Sequence, residues 1–305
     1  MRRLSLDYDL LDFGDGLRWE RFGPLTACRP CPAALGSPRQ GLDPAAADAY
    51  FEKPNDSAGK WRLSPRAREL TAAGEWVIGL GRVRLLLQPT PQGQVGLFPD
   101  HADTWSRVSA FVAELLRQRS RCGSEVAGEP PRILNLFAYT GAGTLLWAAD
   151  GARVTHVDAS RPAVHWGRRN AAISALAEAP IRWLVEDARK YVARERRRNA
   201  RYDVVVLDPP SYGHGPKGSE WVCERDVTGL LADILPLVPY SPAMIALSCH
   251  TPALAVGRLR DCFFAASEQS RAGSAAAWRV TTRDTALADS AGRRLTLGTC
   301  LWARR

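Results

Sequence analysis

The chain is predicted to be an α/β protein, a Rossmann-like sheet with helices on both faces preceded by a small, mostly antiparallel β domain. Three observations predict it. From residue 132 onward, short apolar runs (133–137, 153–157, 181–185, 202–207) alternate with helical stretches, the pattern of a parallel sheet. The first run opens into a turn holding Gly141 and Gly143, followed by a helix. Near the start, residues 8–12 and 17–22 instead alternate apolar and polar around Gly14-Asp15-Gly16, which reads as a hairpin.

With 305 residues and 46% hydrophobic content, the chain has room for a sizeable core and more than one domain. The expected division is 1–95 (β domain), 96–131 (connecting helix and linker) and 132–305 (main domain). No apolar run reaches the length of a membrane span, and residues 1–13 lack the apolar core of a leader, so a cytoplasmic protein without a membrane partner is expected. The formal charge of +9 favours polyanionic partners. Only four of the 41 basic residues are lysines, so a compositional bias toward arginine accounts for part of that charge. Seven irregularly spaced cysteines suit reduced thiols. Cys28 and Cys31 have no second pair or paired histidines downstream, so no metal site is expected.

In the β domain, residues 28–49 read as an irregular Pro/Ala/Gly loop, and 75–78 and 82–88 as further strands. Gly96-Leu97-Phe98-Pro99-Asp100 marks a turn into a helix that Asp100 is placed to cap, with Trp105, Val108, Phe111, Val112, Leu115 and Leu116 on its apolar face. This segment reads either as a connecting helix or as one whose Phe98 closes over a cofactor. Residues 117–131 read as a linker.

In the main domain, glycine at 141 and 143 permits a sharp bend and close approach of a ligand to the helix N-terminus. The spacing differs from the Gly-x-Gly-x-x-Gly of dinucleotide enzymes. A helix over 142–149 stops at Asp150-Gly151. The second strand ends in Asp158, and Ser160 caps a helix with Pro162 in its first turn. An acid there is placed to accept from both hydroxyls of a ribose, or to act only as a cap. The third strand ends in Glu186-Asp187-Ala188, where Asp187 can accept from an adenine amine, cap the next helix, or both. The fourth strand, over 202–207, leads into Asp208-Pro209-Pro210-Ser211-Tyr212. Two prolines fix that turn, so the carbonyls of Asp208 and Pro209 and the Asp208 carboxylate can act as acceptors beside the Tyr212 ring, a setting for a planar, amine-bearing base. Residues 214–218 read as a loop, and a helix follows to about 237. A fifth strand over 244–248 ends in Cys249-His250, delivered to the same cleft as Asp208. A helix over 254–264 and a closing strand pair, 278–285 and 295–302, complete the domain.

These residues together resemble the class I S-adenosylmethionine (SAM)-dependent methyltransferases, and more narrowly the bacterial family of large-subunit ribosomal RNA methyltransferases acting on cytosine C5 and guanine N7. The resemblance is carried by residues 135–141, 154–158, 186–188 and 208–212, with 96–100 as an entry segment. It implies a seven-stranded sheet with one antiparallel strand near its edge, and SAM as cofactor. SAM would lie over Asn135, Phe137, Ala138, Tyr139, Thr140, Gly141 and Gly143. Asp158, with Ala159 and Ser160, would hold its ribose, and Asp187 and Ala188 its adenine. Asp208, Pro209, Pro210 and Tyr212 would border the methyl acceptor, with Asp208 and Phe98 also touching the cofactor. The RNA-binding PUA domain of some members is not recognisable here. The Asp-Pro-Pro turn lacks the cysteine that many RNA cytosine-C5 methyltransferases carry there, which leaves Cys249 as the candidate nucleophile.

The expected function is methyl transfer from SAM to a base of RNA, ribosomal RNA foremost. Two chemistries compete. Either the Cys249 thiolate attacks C6 of cytosine so that C5 takes the methyl group, or Asp208 and nearby carbonyls orient a purine nitrogen. The alternatives are a protein or small-molecule acceptor, or a catalytically silent SAM- or RNA-binding module.

Overall fold

The computed structural model describes residues 4–41, 43–52, 59–121, 129–214, 220–239, 241–270 and 278–305. These form two compact units. One holds residues 4–102 with Ala286–Leu297, the other Asp103–Thr285 with Gly298–Arg305. The division falls inside the expected 96–131 connector, and the tip of the closing strand pair groups with the first unit.

In the first unit, β1 (Tyr8–Gly14), β2 (Leu17–Phe22), β3 (Leu25–Pro30), β4 (Ala49–Glu52) and β5 (Lys60–Leu63) form one sheet in chain order. The β1–β2 turn uses Asp15 and Gly16, both at positive φ (49° and 76°), which matches the right-handed twist of the strands it joins. β3 and its parallel pairing with β4 correct the expectation of an irregular loop from residue 28. Its sequence, Leu25 to Pro30, is a two-sided buried run without alternation, so period alone does not reveal it. Glu20, fully buried, accepts from Arg29 at 2.6 and 3.1 Å and from the Tyr8 hydroxyl at 3.0 Å. Next come α1 (Pro65–Ala73), capped by Ser64, and a hairpin of β6 (Val77–Leu80) and β7 (Val83–Leu86). Asp100 lies inside a 3-10 turn, Pro99–His101, so it does not occupy the cap position expected of it.

The second unit begins with α2 (Ala102–Arg121), which buries Trp105, Val108, Phe111, Val112 and Leu115 along one face. It runs five residues into the expected linker, of which 122–128 lie outside the described residues. The elements that follow are β8 (Arg132–Leu136), α3 (Ala142–Ala149), β9 (Arg153–Asp158), α4 (Arg161–Ile173), β10 (Ile181–Val185), α5 (Ala188–Arg197) and β11 (Val204–Leu207). A short hairpin of β12 (Tyr212–His214) and β13 (Glu220–Val222) leads to α6 (Cys223–Ile234), β14 (Met244–Cys249), α7 (Val256–Ser270), β15 (Arg279–Ala288) and β16 (Arg294–Arg304). Of the expected loop at 214–218, His214 ends β12 and the rest lies outside the described residues.

The sheet order is β10-β9-β8-β11-β14-β16-β15, with β8, β9, β10, β11 and β14 parallel and β16 antiparallel to β14. The chain moves outward from β8 to β10, then returns to place β11 on the other side of β8. Ligands of open α/β sheets bind at such a switch point, beyond the carboxyl ends of the strands. Central strands β11 and β14 are buried on both faces, as their unbroken apolar sequences require. Among the described residues no helix is long and apolar enough to cross a membrane.

Candidate active site

The turn after β8 is built on unusual backbone. Phe137, Tyr139 and Gly141 all have positive φ (55°, 49° and 84°). For the two aromatic residues this conformation costs on the order of 1–3 kcal/mol each and persists only where the surroundings enforce it. Here they do. The Ala138 N–H donates to the Val157 carbonyl at 3.1 Å, the Tyr139 N–H to Asp158 Oδ2 at 2.8 Å, and the Gly141 N–H to the Ala138 carbonyl at 3.1 Å. The Asp158 carboxylate at the end of β9 is thus a strut for the turn. Its Oδ1 accepts from the Ser160 N–H at 2.8 Å, fixing the entry to α4, where the Ser160 hydroxyl accepts from the Ala163 N–H. Burial raises the pKa of Asp158, and the negative charge of Asp208 raises it further. Each carboxylate oxygen can still accept a second bond, which suits a ligand offering two neighbouring hydroxyls.

Beneath the turn, Asn135 does not face outward. Its amide donates to Thr144 Oγ1 at 2.9 Å, and that hydroxyl lies 3.0 Å from His156 Nδ1. His156 is fully buried. Burial, then the nearby Arg168, lowers its pKa to about 3, so the ring stays neutral. The Trp183 ring lies against it at 4.5 Å between centroids. Trp183 also fills the space beside Gly141 and Gly167; a Cβ on Gly167 would come within 2.6 Å of it. Sequence reading gave Trp183 no role, since nothing local distinguishes it from any strand tryptophan.

Gly143 has a different reason from the one expected. A Cβ there would sit 2.7 Å from the Trp147 ring and 3.1 Å from Trp105. The glycine makes room for tryptophans, and the bend belongs to Gly141. Of the other expected cofactor residues, Thr140 is buried and its carbonyl accepts from Asn170, Ala188 is buried, and Ala159 is exposed. Asp187 is half-buried and caps α5 by accepting from the Lys190 N–H at 3.0 Å. Its neighbour Glu186 is engaged by both terminal nitrogens of Arg194. Phe98 falls in the other unit, half-buried, with its ring edge-on to His101.

Asp208-Pro209-Pro210-Ser211-Tyr212 follows β11, one strand over from β8. The Trp221 indole N–H donates to the Pro210 carbonyl at 2.7 Å and the Cys223 N–H to the Ser211 carbonyl at 2.9 Å, so the β12–β13 hairpin clamps the turn. Just past the end of β14, the Thr251 hydroxyl donates to Ser211 Oγ at 3.0 Å, and His250 Nε2 lies 3.8 Å from Asp208 Oδ1. The Tyr212 ring is 73% exposed, available to a planar partner.

Cys249 does not sit as a nucleophile should. It is 1% exposed, belongs to the apolar core, and its sulfur lies 3.9 Å from that of Cys223. Their hydrogen bond favours the Cys249 thiolate, lowering its pKa to about 6 against the opposing effect of burial, and it pushes Cys223 up. A lowered pKa does not open a path to a substrate. The strand period turns Cys249 to the α6 side of the sheet, where Cys223 lies, and β14 is covered on both faces, so the thiol is buried there.

A family model described as S-adenosylmethionine-dependent methyltransferase matches residues 107–261, half of the chain. The crystal structure of the SAM-dependent methyltransferase from Agrobacterium tumefaciens is similar with a TM-score of 0.82 and 29% identity, covering 98% of this chain and 90% of that one. Among curated relatives, ribosomal RNA large subunit methyltransferase K/L of Pseudomonas aeruginosa is 28% identical over 60% of this chain and 22% of its own length. Ribosomal RNA large subunit methyltransferase K of Neisseria meningitidis is 31% identical over 41% of this chain and 31% of its own length. The chain therefore spans less than a third of these relatives.

Proposed function

The chain belongs to the S-adenosylmethionine-dependent methyltransferase family, and from that premise we propose that it transfers a methyl group from SAM to a base of RNA, with ribosomal RNA as acceptor. The observation that carries the reading is the pair of carboxylates, Asp158 and Asp208, at the carboxyl ends of β9 and β11 on either side of the strained turn after β8. The names of the relatives support RNA as the acceptor class.

The donor set fits the cofactor. Asp158 would accept from the ribose hydroxyls, Asp187 from the adenine amine, and the 137–141 backbone would line the remainder. When bound, SAM supplies a methyl carbon already activated by its sulfonium, so positioning supplies much of the rate. Asp208 would accept a hydrogen bond from the acceptor base and hold its nitrogen in line, with His250 beside it, while the exposed Tyr212 ring stacks on the base. A base within a duplex must first be unstacked.

The burial of Cys249 supports the nitrogen chemistry over attack on cytosine. The test is methyl-labelled SAM with RNA from a strain lacking the gene, followed by nucleoside analysis. Labelled guanosine is expected. Labelled 5-methylcytidine would restore Cys249 as nucleophile, and no label in RNA, with SAM still bound, would overturn RNA as acceptor.

A further inference from the structure

We propose that a groove between α2 and the β14–β16–β15 edge of the sheet holds the phosphate backbone of the RNA, away from the methyl-acceptor turn. This rests on the RNA reading above and adds where the substrate is held. The groove encloses about 160 Å³ and is lined by Arg107, Arg279 and Arg304 against a single acid, Glu114, with Trp302 and Phe111 at its walls. Arg107 stacks over the Trp302 ring at 4.2 Å, and Arg304 over Phe111 at 4.6 Å. Stacking fixes each guanidinium plane; Arg107 Nε donates to Asp103 at 3.0 Å and Arg304 to Glu114 at 2.8 Å, which leaves their remaining N–H groups for further in-plane acceptors, the geometry that binds phosphate.

Two further observations point to a ligand. Arg279 is exposed and, among the described residues, has no acidic partner; Arg283, four residues further on and on the same face of β15, is in the same state. Trp302 is 4% exposed, and its indole N–H has no acceptor among the described residues. A donor left buried without a partner is destabilising, and Trp302 lines the groove, where a phosphate oxygen would be an acceptor of the right kind. Charges on an edge strand also deter strand-to-strand pairing, but that role needs neither a groove nor an indole donor in its wall.

The placement has a consequence for substrate size. Met244 at the groove starts β14, and Cys249, beside the acceptor turn, ends it. At the strand rise the two ends are about 16 Å apart. That is about five stacked nucleotides, so a mononucleotide cannot reach both.

The experiment uses the full chain, single-stranded RNA oligonucleotides of three and twelve nucleotides, and fluorescence anisotropy from 50 to 400 mM salt. For Arg107→Gln/Arg279→Gln, the slope of log affinity against log salt should fall by about 0.7 per arginine removed. At 0.1 M salt this corresponds to roughly 25-fold weaker binding of the twelve-mer. Glu114→Gln should bind it more tightly than the wild type. SAM affinity should be unchanged in both, which excludes misfolding. The three-mer should bind wild type and double variant alike. A double variant that methylates and binds RNA as the wild type does would overturn the groove while leaving the RNA reading standing. A wild type that neither binds nor methylates RNA would remove both. A change in oligomeric state with RNA affinity intact would identify the groove as a self-contact and overturn the proposal.

Discussion

Replacing Asp158 by Asn tests the turn and the cofactor site together. The carboxylate accepts from the Tyr139 and Ser160 N–H groups, one on each oxygen. An amide keeps one acceptor and turns a donor toward the other N–H, leaving that donor unmet at a cost of about 1–3 kcal/mol. Bound SAM would also lose one of two charge-assisted bonds from its ribose, worth about 1.5–3 kcal/mol. The expected result is roughly a hundredfold loss of SAM affinity by calorimetry, from about 3 kcal/mol at 1.36 kcal/mol per decade, with a modest fall in Tm. The pH dependence follows from the raised pKa of Asp158. A carboxyl whose folded pKa lies above its unfolded value favours folding below the unfolded pKa, and that contribution is lost as pH rises through the folded one. A diol binds the ionised form, so SAM affinity should rise through that same window in the wild type and stay flat in Asp158→Asn. Affinity within threefold of wild type, with an unchanged pH profile, would refute the assignment of Asp158 to the ribose.

Three other outcomes are expected. Cys249→Ala should keep methyl transfer to RNA and lose on the order of 1–2 kcal/mol of stability from the core; a folded variant with no transfer would return the thiol to the chemistry. Gly143→Ala should lower stability by roughly 1–3 kcal/mol, because its methyl group meets Trp147 and Trp105; an unchanged Tm would mean that α3 shifts freely. His156, with its pKa lowered to about 3, stays neutral in the fold while the unfolded chain takes up a proton near its ordinary value of about 6.5. Stability should therefore fall as pH drops from about 6.5 toward 3. Melting curves of His156→Gln should show a shallower acid limb, and an identical limb would assign the acid sensitivity elsewhere.

Much of this architecture was legible in the sequence because it obeys local rules. The parallel strands announce themselves as apolar runs. Gly151 ends α3, Ser160 and Asp187 cap α4 and α5, and Asp15-Gly16 turns β1 into β2, each through bonds spanning four residues or fewer. The same rules put Asp158 and Asp208 at strand ends, so the candidate site could be drawn before any coordinates. What tertiary structure alone decided involves partners far apart in the chain. Cys249 stands at a strand end like Asp158, yet it is withdrawn from the site because Cys223 and the α6 face take it up. Asn135 belongs to the motif that marks the turn, but its amide is claimed by Thr144. Gly143 answers to two tryptophans, one of them 38 positions earlier. The basic groove joins α2 to strands from the end of the chain. Period and capping are properties of a few consecutive residues, whereas which side chains fill which space is set by packing between segments, and no local pattern encodes it.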